Sequence, residues 1–149
     1  MRVSSPRVPQ PRPERVEWPP FLEQLARHYA FGHATPLPEH AGWFDRAQLE
    51  QALINLLKNA HESGGPAEAV ELALAERADE WRIEVRDRGH GMSETVLANA
   101  LLPFYSTKRS GTGLGLALAR EIAEAHGGRI TIANRAGGGL IVALNLPRG

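Results

Sequence analysis

The chain has no cysteine. Disulfides, thiolate-held zinc and thiol nucleophiles are therefore excluded, and a reducing compartment is the natural setting. It has no net charge at pH 7, with 17 Lys and Arg against 17 Asp and Glu, so no broad basic face argues for nucleic acid. No apolar run approaches the length of a membrane span, and the N-terminus lacks the apolar stretch of a signal peptide. The expectation is a cytoplasmic protein whose own residues make no membrane contact. What remains is 149 residues, 42 % of them hydrophobic, enough for one domain with a real core.

Residues 1–20, MRVSSPRVPQPRPERVEWPP, hold more than half of the prolines. Proline removes a backbone donor and fixes φ, so an extended linker or tail is expected over 1–15, with the domain proper from 16 to 149. A short helix is expected over 21–29. The segment 31–44 reads as a turn-rich connection. Asp45 can then cap a strong helix over 46–63, whose Leu49, Ala52, Leu53, Leu56, Leu57 and Ala60 recur three and four apart. Gly64-Gly65-Pro66 ends it. AVELALAE (69–76) and EWRIEVRD (80–87) alternate and are joined by three residues, the pattern of an antiparallel hairpin. A short helix over 93–101, a loop over 102–112, a helix from the glycine-rich stretch to Gly127-Gly128, and a closing hairpin of 129–135 and 139–147 complete the order. In the last helix, Leu114, Ala117, Leu118 and Ile122 are expected to face the sheet. The fold class is α+β: a mixed sheet with helices on one face.

Three stretches carry chemistry. In the helix 46–63, Asn55 and Asn59 lie four apart and share a face, with Lys58 and Glu62 on the polar side. Asparagine is a mediocre helix-interior residue. The pair reads equally well as surface polarity or as an amide oxygen offered to a hard cation such as magnesium. In DRGHGM (87–92), a carboxylate at a strand end can accept a hydrogen bond from an exocyclic amine such as adenine's. Gly89 and Gly91 let a flat ligand approach the backbone. The same pattern is also a common strand-ending turn. In GTGLGL (111–116), glycines precede a helix start, where spare N–H groups and the helix dipole favour anions. No GK[ST] ends this stretch, so it is not a Walker loop, and its polar approach and spacing differ from a Rossmann fingerprint.

Taken together and in this order, NLLKNA (55–60), DRGHGM (87–92), PFYSTK (103–108) and GTGLGL (111–116) resemble the N box, first glycine box, F box and second glycine box of sensor histidine kinases. The resemblance covers about residues 16–147. It implies the GHKL ATP-binding superfamily with its Bergerat α/β sandwich, and the short STK lid is most similar to the nitrogen-regulation-type kinases. By this similarity Asn59 would coordinate Mg2+, Asp87 would bind the adenine amino group, and Gly89 and Gly91 would shape the base pocket. Gly111, Gly113 and Gly115 would hold the ATP phosphates, with Thr112 and Leu114 between them. Phe104 and Thr107 would belong to the lid, and Lys108 sits where a flexible cation reaches the β- or γ-phosphate.

Asn55 stands where hydrolases of the superfamily carry a glutamate that activates water. An amide cannot take a proton at neutral pH, so the resemblance implies ATP binding and phosphoryl transfer rather than hydrolysis, with Asn55 in the catalytic site. Charge and placement, not the resemblance, add Lys108 as a catalytic-site residue, a position that reads equally well as a solvated loop. Many relatives have a cation three residues after the metal ligand, where this chain has Glu62. None of the six histidines (28, 33, 40, 61, 90, 126) fits the phosphoacceptor pattern. The expected partner is thus a dimerisation domain carrying that histidine, with a response regulator downstream and the fragment itself monomeric. An anti-sigma-type serine kinase and a non-catalytic ATP-binding module of the same fold are the alternatives.

Overall fold

The computed structural model describes residues 8–102 and 115–148. Its elements are β1 (Glu14–Val16), α1 (Trp18–Leu25), β2 (Gly32–His33), β3 (Gly42–Phe44), α2 (Arg46–His61), β4 (Glu71–Glu76), β5 (Glu80–Arg86), α3 (Glu94–Asn99), α4 (Gly115–Ala125), β6 (Arg129–Asn134) and β7 (Leu140–Pro147). A five-stranded mixed sheet has the order β2-β4-β5-β7-β6, and β1 pairs with β3 in a separate two-stranded ribbon. Among the described strands only β2 and β4 run parallel; the other pairs are antiparallel. Helices α1, α2 and α4 bury one face of the sheet in a single core, as an α+β sandwich requires.

Period-two patterning sets which side chains enter that core. Along β5, Trp81, Ile83 and Val85 point inward. Arg82, Glu84 and Arg86 stand on the outer face, where Glu84 pairs with both arginines at 3.6 and 3.2 Å. The six apolar residues expected on α2 are all buried. Aromatic rings close one end of the core, with Trp18 lying 5.3 Å from Trp81 and 5.8 Å from Phe44 between ring centroids.

Three expectations change. The first helix starts at Trp18 rather than Phe21, because Pro19 and Pro20 occupy its first positions, where a missing N–H removes no intrahelical bond. The stretch expected as connection, 31–44, holds β2 and β3, and β1 from the proline-rich start is zipped to β3. In α4 the buried residues are Ala117, Ala119, Ile122 and Ala123, and Leu118 is only half-buried. The helix packs chiefly on α2, and alanines let the two helices approach. Leu114 lies outside the described residues.

Two hydrogen bonds hold α2 and α4 antiparallel. At one end His126 Nε2 accepts from the Asp45 backbone N–H at 3.1 Å, while Nδ1 donates to Ile122 O at 2.9 Å. At the other, Asn55 Nδ2 donates to the carbonyl of Gly115 at 3.4 Å. Asp45 caps α2 as expected, accepting from the Gln48 N–H at 3.0 Å. Burial alone would raise its pKa, but the N–H groups of Arg12, Gln48 and Ala47 hold it below the usual carboxylate value.

Candidate functional site

Four segments converge on a cavity of about 310 Å³. The end of α2 contributes Asn59, Glu62 and Ser63. The turn after β5 contributes Asp87, His90, Gly91 and Met92, the start of α3 adds Ser93 and Val96, and the start of β7 adds Leu140. The lining therefore combines oxygen-bearing side chains with apolar surface that a flat ligand could cover.

Asp87 sits at the buried end, only 3 % exposed. It leaves β5, the central strand, directly beside β7. Its Oδ1 accepts from the Gly89 N–H at 2.8 Å and the Leu140 N–H at 3.2 Å. With Oδ1 so engaged, Oδ2 is the atom left for a ligand. A buried carboxylate facing a cavity is costly unless it is hydrogen-bonded, so the cavity suits a ligand with a donor at this point.

The glycines of the turn have separate reasons. Gly89 lies behind the wall, where a Cβ would stand 2.3 Å from the carbonyl oxygen of Ser63. It lets the turn after β5 close on the end of α2. Gly91 has φ +72°, a left-handed conformation that other residues rarely adopt.

The structure thus brings Asn59, Asp87 and Gly91 into one cavity, with Gly89 supporting it from behind. Asn55 is one turn from Asn59 but is not part of the wall. Its amide bridges Gln51 and the first residue of α4, with Oδ1 accepting from Gln51 Nε2 at 3.1 Å. Gly115 opens α4, and a Cβ there would make only ordinary contact with Asn55. Phe104, Thr107, Lys108, Gly111, Thr112, Gly113 and Leu114 lie outside the described residues.

The donor set fits magnesium. Asn59 and Glu62 supply hard oxygens, and Lys58 stands 3.8 Å from the Glu62 carboxylate. Among the described residues no group of three or more His, Asp or Glu could hold a metal ion by itself. A magnesium ion here would need oxygens from a second source, and phosphates are its usual complement.

The motif reading had not singled out Met92, Val96 or Leu140. Met92 and Val96 lie four positions apart, and the fold brings Leu140 of β7 to them. Arg135 was also missed. Its Nη1 donates to the Asp87 carbonyl at 3.0 Å, from a side chain just 13 % exposed. Burial, then the guanidinium of Arg88, lower its pKa; Arg86 adds to this, and Glu71 and Asp87 oppose it.

With this geometry in hand, the comparisons with known proteins are specific. Residues 44–149 match the family described as histidine kinase-, DNA gyrase B-, and HSP90-like ATPases, and the chain belongs to that family. It is 37 % identical over 110 residues to the sensor protein KdpD of Clostridium acetobutylicum, covering 70 % of this chain and 12 % of that protein. It is 39 % identical over 106 residues to the sensor protein FixL of Bradyrhizobium diazoefficiens, covering 69 % of this chain and 21 % of that protein. The chain thus spans a quarter or less of these curated relatives. Among solved structures it superposes on the catalytic domain of the histidine kinase ThkA with a TM-score of 0.79 and 25 % identity, over 92 % of this chain and 96 % of that one. The α+β sandwich and the histidine-kinase type of ATP-binding domain expected from the motifs are those of these relatives. Among the described residues no helix is long and apolar enough to cross a membrane.

Proposed function

We propose that the chain is the ATP-binding catalytic domain of a two-component sensor histidine kinase. Its reaction would move the γ-phosphoryl group of ATP to a histidine on a separate dimerisation domain. The observation that carries this reading is that Asp87 and Asn59 line one cavity together with the apolar side chains of Met92, Val96 and Leu140. Asp87 Oδ2 would accept from the adenine amine, and Met92, Val96 and Leu140 would bound the ring. Asn59, with Glu62 nearby, would hold magnesium, which supplies charge neutralisation at the phosphates. The glycines Gly111, Gly113 and Gly115, with Thr112 and Leu114, would seat the phosphates. Phe104, Thr107 and Lys108 would cover them.

Asn55 supports transfer over hydrolysis. It has no basic group with which to activate water, and its amide is engaged with Gln51 and Gly115. Positioning and electrostatics then carry the chemistry: the bond from the γ-phosphorus to the ADP oxygen breaks as a bond to an imidazole nitrogen forms. A response regulator would receive the phosphoryl group next. The same reading takes the proline-rich start as a linker whose last residues, Glu14 and Arg15, are drawn into β1, the isolated domain as monomeric and its compartment as the cytoplasm.

The test is phosphotransfer in trans. The protein is mixed with labelled Mg-ATP and a dimerisation domain bearing a phosphoacceptor histidine. Acid-labile label in that domain is expected. Acid-stable label on serine, or release of free phosphate without transfer, would refute the assignment.

A further inference from the structure

The turn between β6 and β7 braces the segment that forms the cavity wall. Gly139, at φ +109°, lies so close to this segment that a Cβ there would stand 2.0 Å from the Asp87 carbonyl oxygen. Arg135 and Leu140 hold Asp87 itself. At the near end of the same turn, Asn134 holds Met92. Its Oδ1 accepts from the Met92 N–H at 2.8 Å, and its Nδ2 donates to the Met92 carbonyl at 2.7 Å.

Met92 lies in the irregular segment between β5 and α3, where no strand neighbour satisfies its backbone. The Asn134 amide supplies both a donor and an acceptor, as a strand neighbour would. The approach is close enough to dictate the preceding residue. A Cβ on Gly91 would stand 2.7 Å from Asn134 Oδ1. Glycine at 91 and asparagine at 134 are therefore one device, joining positions 43 apart in the chain.

We propose that Asn134 is a positioning residue for the nucleotide base. By clamping the Met92 peptide it sets the Gly91–Met92 wall at the distance from Asp87 that a purine ring needs. Asn134 does not itself line the cavity and acts through Met92. This rests on the reading of the cavity as the base site. Asparagine suits the task because aspartate would keep the bond from the Met92 N–H but lose the one to its carbonyl. Alanine would lose both. Asn134 is itself exposed, so its removal should affect the wall more than the global fold.

Calorimetric titration with ADP, with and without magnesium, tests this on wild type, Asn134→Ala, Asn134→Asp and Asp87→Asn. Loss of two net hydrogen bonds should weaken ADP binding by about tenfold in Asn134→Ala. The factor should be equal with and without magnesium, because the clamp bears on the base. Asn134→Asp should fall between alanine and wild type, and amide exchange at Gly91–Ser93 should quicken in the unliganded alanine variant. Wild-type affinity in Asn134→Ala, or a loss confined to magnesium conditions, overturns the proposal. If the alanine variant does not fold, wild-type affinity in Asn134→Asp overturns it equally. Intact binding in Asp87→Asn would instead show that the base lies elsewhere, and it appears in that arm whatever the Asn134 variants do.

Discussion

Replacing Asp87 by asparagine exchanges one oxygen for an NH2 group and leaves the shape unchanged. In the folded protein Oδ1 accepts from the N–H groups of Gly89 and Leu140, at 2.8 and 3.2 Å. An asparagine keeps both bonds by placing its oxygen there, which puts the amide nitrogen where Oδ2 stood. The cavity then presents a donor to the adenine amine, itself a donor. A hydrogen bond to a charged acceptor is worth about 1.5–3 kcal/mol, and an unpaired buried donor costs about 1–3 kcal/mol more. At roughly 1.4 kcal/mol per tenfold, the lower end of the sum is close to a 100-fold loss of ADP affinity and the upper end is beyond detection. The fold should survive, because the replaced group is a buried carboxylate whose two backbone partners are retained. Calorimetric titration with ADP reads the affinity, and thermal unfolding confirms that the variant is folded. A folded Asp87→Asn protein with wild-type affinity would refute the argument from the carboxylate.

Two further outcomes follow from the same geometry. Asn59→Ala should leave ADP affinity without magnesium unchanged and abolish the gain that magnesium brings; equal losses in both conditions would remove Asn59 as a metal ligand. Asp45→Ala removes the cap of α2 and its bonds to the N–H groups of Gln48 and Arg12, and should cost about 1 kcal/mol in urea unfolding at neutral pH. The native carboxylate has a lowered pKa. Its contribution is therefore present above the unfolded-state value and disappears as pH falls through the native value. The stability gap between wild type and Asp45→Ala should close in acid, and a gap that persists there would contradict the cap.

Legibility in the sequence followed the range of the interaction. The buried stripe of α2, Leu49 to Ala60, could be read from spacing because helix periodicity is local. The Asp45 cap and the β4–β5 hairpin were legible for the same reason. The start of α1 was not, since Pro19 and Pro20 belong to the proline-rich first twenty residues and disfavour a helix until Trp18 is seen buried in the core. Strands β2 and β3, of two and three residues, are too short to show alternation. At the site, Asn59 and Asp87 were legible because each lies in a local motif. The apolar wall of Met92, Val96 and Leu140 was not: Met92 and Val96 are close in the chain, but Leu140 joins them only through the pairing of β5 with β7. Asn134 lay inside the expected strand 129–135 with nothing to mark it, because the role proposed for it depends on a partner 42 positions away.

The bond between Leu140 N–H and Asp87 Oδ1 spans 53 positions, and β5 takes β7, not β6, as its neighbour. On the ribosome, α2, β4 and β5 emerge well before the strand that completes the cavity. Until β7 inserts, the carboxylate lacks one of its two N–H donors and β5 has an open edge. Such late, long-range pairing is the slow part of folding. Nucleotide held at Asp87 would therefore engage only chains in which β7 is in place. At 100 times its dissociation constant it would add about 2.7 kcal/mol to the native state. For a newly made domain, cellular ATP would act first as a folding ligand, drawing the chain toward the closed sheet before any phosphoryl group moves.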